Sequence, residues 1–167
     1  MVREIDRFTV RRATPADSAG ILACLASAFE PYRDRYTSPA FADTVLTPAT
    51  LAERLSSMAV FVAVDSADQV VGTIAGRMVE AGEGQLRGMA VRPEWQGTGV
   101  AREILSTVER HLRAAGCSRI TLGTVECLRG ARRFYEKNGY RLSGQARDFF
   151  GMQLEEHVKQ LVGTESN

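Results

Sequence analysis

Two histidines and three cysteines are spread through 167 residues, and that scarcity excludes several chemistries. Cys24, Cys117 and Cys127 are odd in number and form no CxxC pair. No histidine clusters beside them, which argues against a disulfide framework and against a metal site. His111 and His157 stand alone, so neither supports a catalytic role. No apolar run is long enough to cross a bilayer, so no membrane partner is expected. The opening Met1-Val-Arg-Glu-Ile-Asp-Arg7 is charged, lacks an apolar core and reads as no signal peptide. Charge of one sign is also scarce. The 21 lysines and arginines against 20 acids leave a net +1, which gives no reason to expect a nucleic acid or an acidic surface. What remains has an ordinary globular composition, 44% hydrophobic and 25% charged. The expectation is a cytoplasmic chain with reduced thiols and one domain over residues 8–160.

Hydrophobic spacing supplies the element order. Phe8–Arg12 reads as a short strand. Thr14 and Pro15 form a helix start, and Ile21, Leu22, Leu25, Ala28 and Phe29 make its apolar face. Pro31 interrupts it, and residues 30–39 read as a loop or broken helix with Tyr32 and Tyr36 among arginines. A second helix starts at Thr47-Pro48 and runs to about Ser57. Ala59–Val64 is a buried strand, paired as a hairpin with Gln69–Glu80. Gln85–Val91 follows and is stopped by Pro93. Ala101, Ile104, Leu105, Val108 and Leu112 then form a helical stripe ended by Gly116. Ile120–Val125 reads as a strand, Ala131–Asn138 as a helix, and 140–147 and 149–154 as a last strand pair. The pattern suggests a mixed α/β sheet.

The informative stretch is Met89-Ala-Val-Arg-Pro-Glu-Trp-Gln-Gly-Thr-Gly-Val-Ala101. A strand ends at a proline, a two-glycine turn follows, and an amphipathic helix begins. The first turn of a helix has unpaired N–H donors and about half a positive charge. Such an end binds phosphate, and glycine lets the anion approach the backbone. The nucleotide motifs do not fit: GxGxxG lacks its third small residue, and GxxxxGK(S/T) is absent.

Strand, then V-x-P-x-x-Q-G-x-G-V-A, then helix resembles the acetyl-CoA signature of the GNAT acetyltransferase superfamily, whose core is (Q/R)-x-x-G-x-(G/A). Gln96-Gly-Thr-Gly99-Val-Ala101 matches that core. Downstream, Ala131-Arg-Arg-Phe134-Tyr135-Glu-Lys-Asn-Gly139-Tyr140 matches the family's A-x-x-F-Y-x-x-x-G-(F/Y) helix. The resemblance covers residues 8–155. It implies an α/β (α+β mixed) fold, with a central, mostly antiparallel sheet splayed at the cofactor site and flanked by about four helices. It also implies an N-acetyltransferase that moves an acetyl group from acetyl-CoA, as co-substrate, directly to a primary amine of a small molecule or peptide. The cofactor would lie along Met89, Ala90, Val91, Gln96, Gly97, Thr98, Gly99, Val100, Ala101 and Arg102. Across the splay it would meet Leu128, Ala131, Arg132 and Phe134. Gly88 would mark a bulge that helps the splay.

Tyr135 matches the family's proton donor to the leaving thiolate; its other reading is a packed core aromatic. The base stays open. Gln85 stands where many relatives have glutamate, and it cannot take a proton. Glu83 and Glu126 are the nearest candidates, Glu30 and Asp34 lie in the loop over the acceptor, and a base acting through water or an amine that arrives neutral is equally open. Leu128 replaces an asparagine that bonds pantetheine in many relatives. Cys127 beside it has no nearby histidine to make it a nucleophile. Phe29, Tyr32, Tyr36 and Phe149 favour an acceptor pocket. The competing readings are protein N-terminal or lysine acetylation, which needs an open cleft between residues 30–39 and the 147–150 turn, and an inactive acyl-CoA sensor. Many relatives form homodimers.

Overall fold

Residues 7–161 are described here in a computed structural model. The charged residues 1–6, read above as no signal peptide, lie outside them.

Among the described residues, seven strands form one sheet in the order β1-β2-β3-β4-β5-β7-β6. They are β1 Phe8–Arg12, β2 Ala59–Asp65, β3 Val70–Glu80, β4 Glu83–Val91, β5 Arg119–Val125, β6 Arg141–Phe149 and β7 Met152–Gln160. Among the same residues, five α-helices cover the sheet: α1 Ser18–Phe29, α2 Ser38–Val45, α3 Pro48–Ser57, α4 Val100–Ala114 and α5 Arg129–Lys137. The helix not expected from sequence is α2. Its start signal is nonetheless local: the Thr37 hydroxyl accepts from the Ala40 amide, and Pro39 sits in the first turn. The stretch before it, Glu30–Arg35, winds as a 3₁₀ helix.

Both faces of the central strands are covered, which is why Ala59–Val64 could be apolar throughout. On one face α1 and α3 pack Ile21, Leu25 and Leu51 against Val60, Val62 and Ala75. On the other, α4 lays Val100, Ile104, Leu105, Val108 and Leu112 against Phe61, Ile74 and Leu86. That stripe repeats at helical spacing, and the opposite side of α4 carries its charges.

All strand pairs are antiparallel except β4 with β5. Those two run parallel but pair only from Glu83–Gln85 against Arg119–Thr121, and then separate. Just beyond, β4 carries an extra residue. Thr73 pairs with Ala90 and Ala75 with Arg87, so Gly88 and Met89 share one position opposite Ile74. Gly88 has φ +65°, as a bulge glycine allows. The bulge bends β4 away from β5 and opens the sheet.

Candidate active site

The opening between β4 and β5 is a cavity of about 710 Å³ that reaches both faces of the sheet. Its centre is a contact across the splay: Tyr135 Oη on α5 donates to Met89 Sδ on β4 at 3.5 Å. Tyr135 is 7% exposed and packs between Phe134 and Tyr140. Burial pushes its phenol well above the usual tyrosine range, so the hydroxyl stays protonated.

One end of the cavity is the start of α4. Gly97 and Gly99 hold φ of +80° and +96°, and a Cβ built on either meets nothing within 4 Å. Left-handed backbone turns the chain so that its amides face outward in sequence. The amides of Gly97 through Arg102 have no acceptor among the described residues. A second bare N-terminus, that of α5 at Arg129–Ala131, faces the same space through Gly130 and Ala131. Arg102 and Lys137 add charge to this end; Lys137 was missed from sequence because it reads as an ordinary C-terminal helix cation.

The other end lies under α1, α2 and α3, where Phe29, Tyr32, Tyr36 and Phe149 line the wall. Tyr36 packs edge-on against Phe29 and Phe41. The β6–β7 turn closes over this end. The Thr37 hydroxyl donates to the Phe150 carbonyl at 2.7 Å, tying residues 30–39 to the 147–150 turn. Asp43, Arg54, Arg87 and Arg147 also line it. Pattern reading missed them because their convergence depends on α2 and on the bend of β4.

Of the expected site residues, Met89, Ala90, Val91, Gln96, Gly97, Gly99, Ala101, Arg102, Leu128, Ala131, Phe134 and Tyr135 line this one cavity. Others are placed elsewhere. The Val100 side chain is fully buried against Gly72. The Thr98 hydroxyl turns back to the Trp95 carbonyl. Arg132 is drawn to Glu155 at 3.2 Å and Glu136 at 3.7 Å. Glu83 sits where β4 and β5 are still paired, opposite Arg119. Glu126 and Cys127 line a separate pocket with Arg35 and Gln153, and burial raises the Cys127 thiol pKa. His157 proves completely buried, its Nε2 2.9 Å from Thr124 Oγ1, and Thr124 lines the cavity.

A sheet parted at one parallel pair, with a bare helix N-terminus at the mouth, defines an acyltransferase of the acyl-CoA N-acyltransferase fold. The chain belongs to the GNAT acetyltransferase family: the family model described as Acetyltransferase (GNAT) matches residues 22–140. A similar curated protein is the aminoglycoside N(6')-acetyltransferase type 1 of Stenotrophomonas maltophilia. It is 35% identical over 117 residues, covering 65% of this chain and 70% of that protein. Among solved structures, the PaiA N-acetyltransferase of Thermoplasma acidophilum in complex with coenzyme A superposes with a TM-score of 0.76 at 15% identity. That match covers 92% of this chain and 99% of that one. A GNAT acetyltransferase of Staphylococcus aureus Mu50 gives 0.77 at 16% identity, covering 93% and 100%. At such identities these structures speak to the fold alone. Among the described residues, no helix is long and apolar enough to cross a membrane.

Proposed function

We propose that this enzyme transfers an acetyl group from acetyl-CoA directly to the primary amine of a small molecule. The observation that carries the proposal is the continuity of the cavity. It leads from the bare N-terminus of α4, past Met89 and Tyr135, to an aromatic chamber under α1–α3. The residues present fit the cofactor: the Gly97–Arg102 amides, with Arg102 and Lys137, suit a pyrophosphate, and Gly97 and Gly99 leave open space before them. Bound there, acetyl-CoA would supply the acetyl group and a thiol leaving group. The coenzyme A in the Thermoplasma relative agrees with this use.

This chain's part is placement and charge. The β4 backbone at Met89 and Val91 would hold the pantetheine arm. The bulge leaves Gly88 and Met89 sharing one ladder position, and an amide there would receive the negative charge that develops on the acetyl oxygen. Tyr135, kept protonated by burial, would donate to the departing sulfur. Its hydroxyl already donates to a sulfur, that of Met89. Among the described residues, Asp43 is the one carboxylate that lines the cavity, and it is paired with Arg87 at 3.1 Å. We therefore assign the amine's proton to water rather than to Glu83 or Glu126. Nearby cations assist by lowering the pKa of an acceptor ammonium.

The tie from Thr37 to Phe150 supports a closed pocket over a peptide cleft. The aminoglycoside relative supports an amine acceptor in general. Three free cysteines suit a reducing compartment, the cytoplasm.

Thermal titration tests the reading. Acetyl-CoA at about a hundred times its dissociation constant should add about 2.7 kcal/mol of stability, with NAD and ATP inert. An amine should then release free thiol. Stabilisation without thiol release from any amine would favour a sensor. No stabilisation would remove the cofactor site.

A further inference from the structure

The acceptor end of the cavity is charged in one direction. Among the described residues the whole cavity is lined by Arg54, Arg87, Arg102, Lys137 and Arg147 against a single acid, Asp43. Two of these cations, Arg102 and Lys137, stand at the α4–α5 end, where cofactor phosphates account for them. The other three stand at the aromatic end, where Asp43 already serves Arg87.

Arg54 and Arg147 have no counterpart among the described residues, and Arg147 is exposed to water whereas Arg54 is not. Arg54 projects from α3 toward the β4 bulge, so closely that a Cβ on Gly88 would lie 2.3 Å from its Nη1. The glycine thus makes room for the guanidinium as well as for the left-handed turn. Arg54 is half-buried and has neither a hydrogen bond nor an ion pair among the described residues. Nearby Arg77 bonds Gln85 Oε1 at 3.1 Å. A glutamate at 85 would bring a countercharge, and glutamine brings none. Burial first, then Arg87 and Arg77, push the Arg54 guanidinium down to about 10, against the pull of Asp43. It stays charged at neutral pH. A half-buried cation beside two like charges is a cost to the empty fold, and an anion arriving in the pocket would relieve it.

We infer that the acceptor is an amine that itself carries a carboxylate, an amino acid with an apolar or aromatic body, and that Arg54 binds that carboxylate. Phe29, Tyr36 and Phe149 take the body, and the amine is left free toward the Met89–Tyr135 centre. A polycationic acceptor would add like charge to an end that has too much. This inference rests on the acetyl-transfer reading above.

The experiment compares thiol release from acetyl-CoA with the twenty amino acids, their carboxamides, phenethylamine and tobramycin. At least one acid should exceed its own amide in kcat/KM by about tenfold or more, as a hydrogen-bonded charge pair warrants. Arg54→Met should bring that ratio toward one, and Arg54→Lys should restore part of it. The melting temperature of R54M should not fall, because the substitution removes an uncompensated charge; a structural arginine would show the opposite. Amides, phenethylamine or tobramycin turned over as well as the acids would overturn the inference and leave acetyl transfer standing. No thiol release from any of these amines, with acetyl-CoA stabilisation retained, would overturn the inference; release from a polyamine or a peptide would then leave acetyl transfer standing, and its absence there too would overturn both.

Discussion

Tyr135 has little company for its hydroxyl. The ring is wedged among Phe134, Tyr140 and His157, and the sole partner of Oη among the described residues is a thioether. Sulfur is a weak acceptor, so removing the hydroxyl should cost the fold little. Tyr135→Phe is expected to keep its melting temperature within a degree or two and its KM for acetyl-CoA within a small factor. Its kcat should drop about 10²-fold, the usual value of a positioned proton donor. Steady-state kinetics beside a melting curve checks this. An unchanged kcat would return Tyr135 to the core. The residue was legible because its motif is local, Ala131 through Tyr140 in one helix and its cap. Arg54 was not, because nothing within α3 says which strand it will face.

At the scale of elements, the site depends on how α4 is seated. Gly72 on β3 and Gly99 at the α4 start serve it differently. A Cβ on Gly72 would come within 2.6 Å of Val100 Cγ1, so the glycine lets the first turn of α4 sit down on the sheet. Gly99 meets nothing but needs φ +96°. Gly72→Ala should cost about 1–3 kcal/mol through overpacking, and acetyl-CoA affinity should weaken with it as α4 shifts. Gly99→Ala should cost about 1 kcal/mol of backbone strain while weakening acetyl-CoA by roughly tenfold, because the amides before the phosphate lose their orientation. Calorimetric titration with parallel melts separates the two. The larger stability loss belongs to G72A, and equal losses would contradict the assignment. The turn and the helix were readable from two glycines and an apolar stripe. The missed element, α2, is eight residues long, and its apolar content was too small to show a period. The acceptor end depends on that helix, which is why Asp43 went unseen.

For the molecule as a whole, pH enters through His157, a β7 residue whose side chain bonds to β5. Its ring is completely buried and bonded to Thr124. Burial first, then the charge of Arg132, lower its pKa against the pull of Glu136 and Glu155. The sign follows from linkage. The unfolded chain takes up the proton near pH 6.5 while the folded chain resists it, so stability is full above that value and is lost as pH falls toward the folded pKa. The loss is at most about 1.4 kcal/mol per pH unit. Melting temperatures from pH 7.5 to 5.5 should decline in the parent and decline less in His157→Gln, whose amide can keep the bond to Thr124. Parallel curves for the two would show that His157 titrates alike in both states.

Short-range physics was enough for the element order, the glycine turn before α4, the helix bearing Tyr135 and, through both motifs, the family. Those features rest on spacing and turn chemistry within about ten to fifteen residues, where period and propensity act. Which residues share a cavity depends instead on how the chain packs in three dimensions. That packing removed Glu83 to the paired end of β4, drew Arg132 to Glu155, sent Glu126 into a separate pocket, and tied residue 37 to residue 150. The reason is geometric. Where a side chain ends up depends on the extra residue at Gly88 and on the point where β4 leaves β5, and both are settled by packing between segments far apart in the chain.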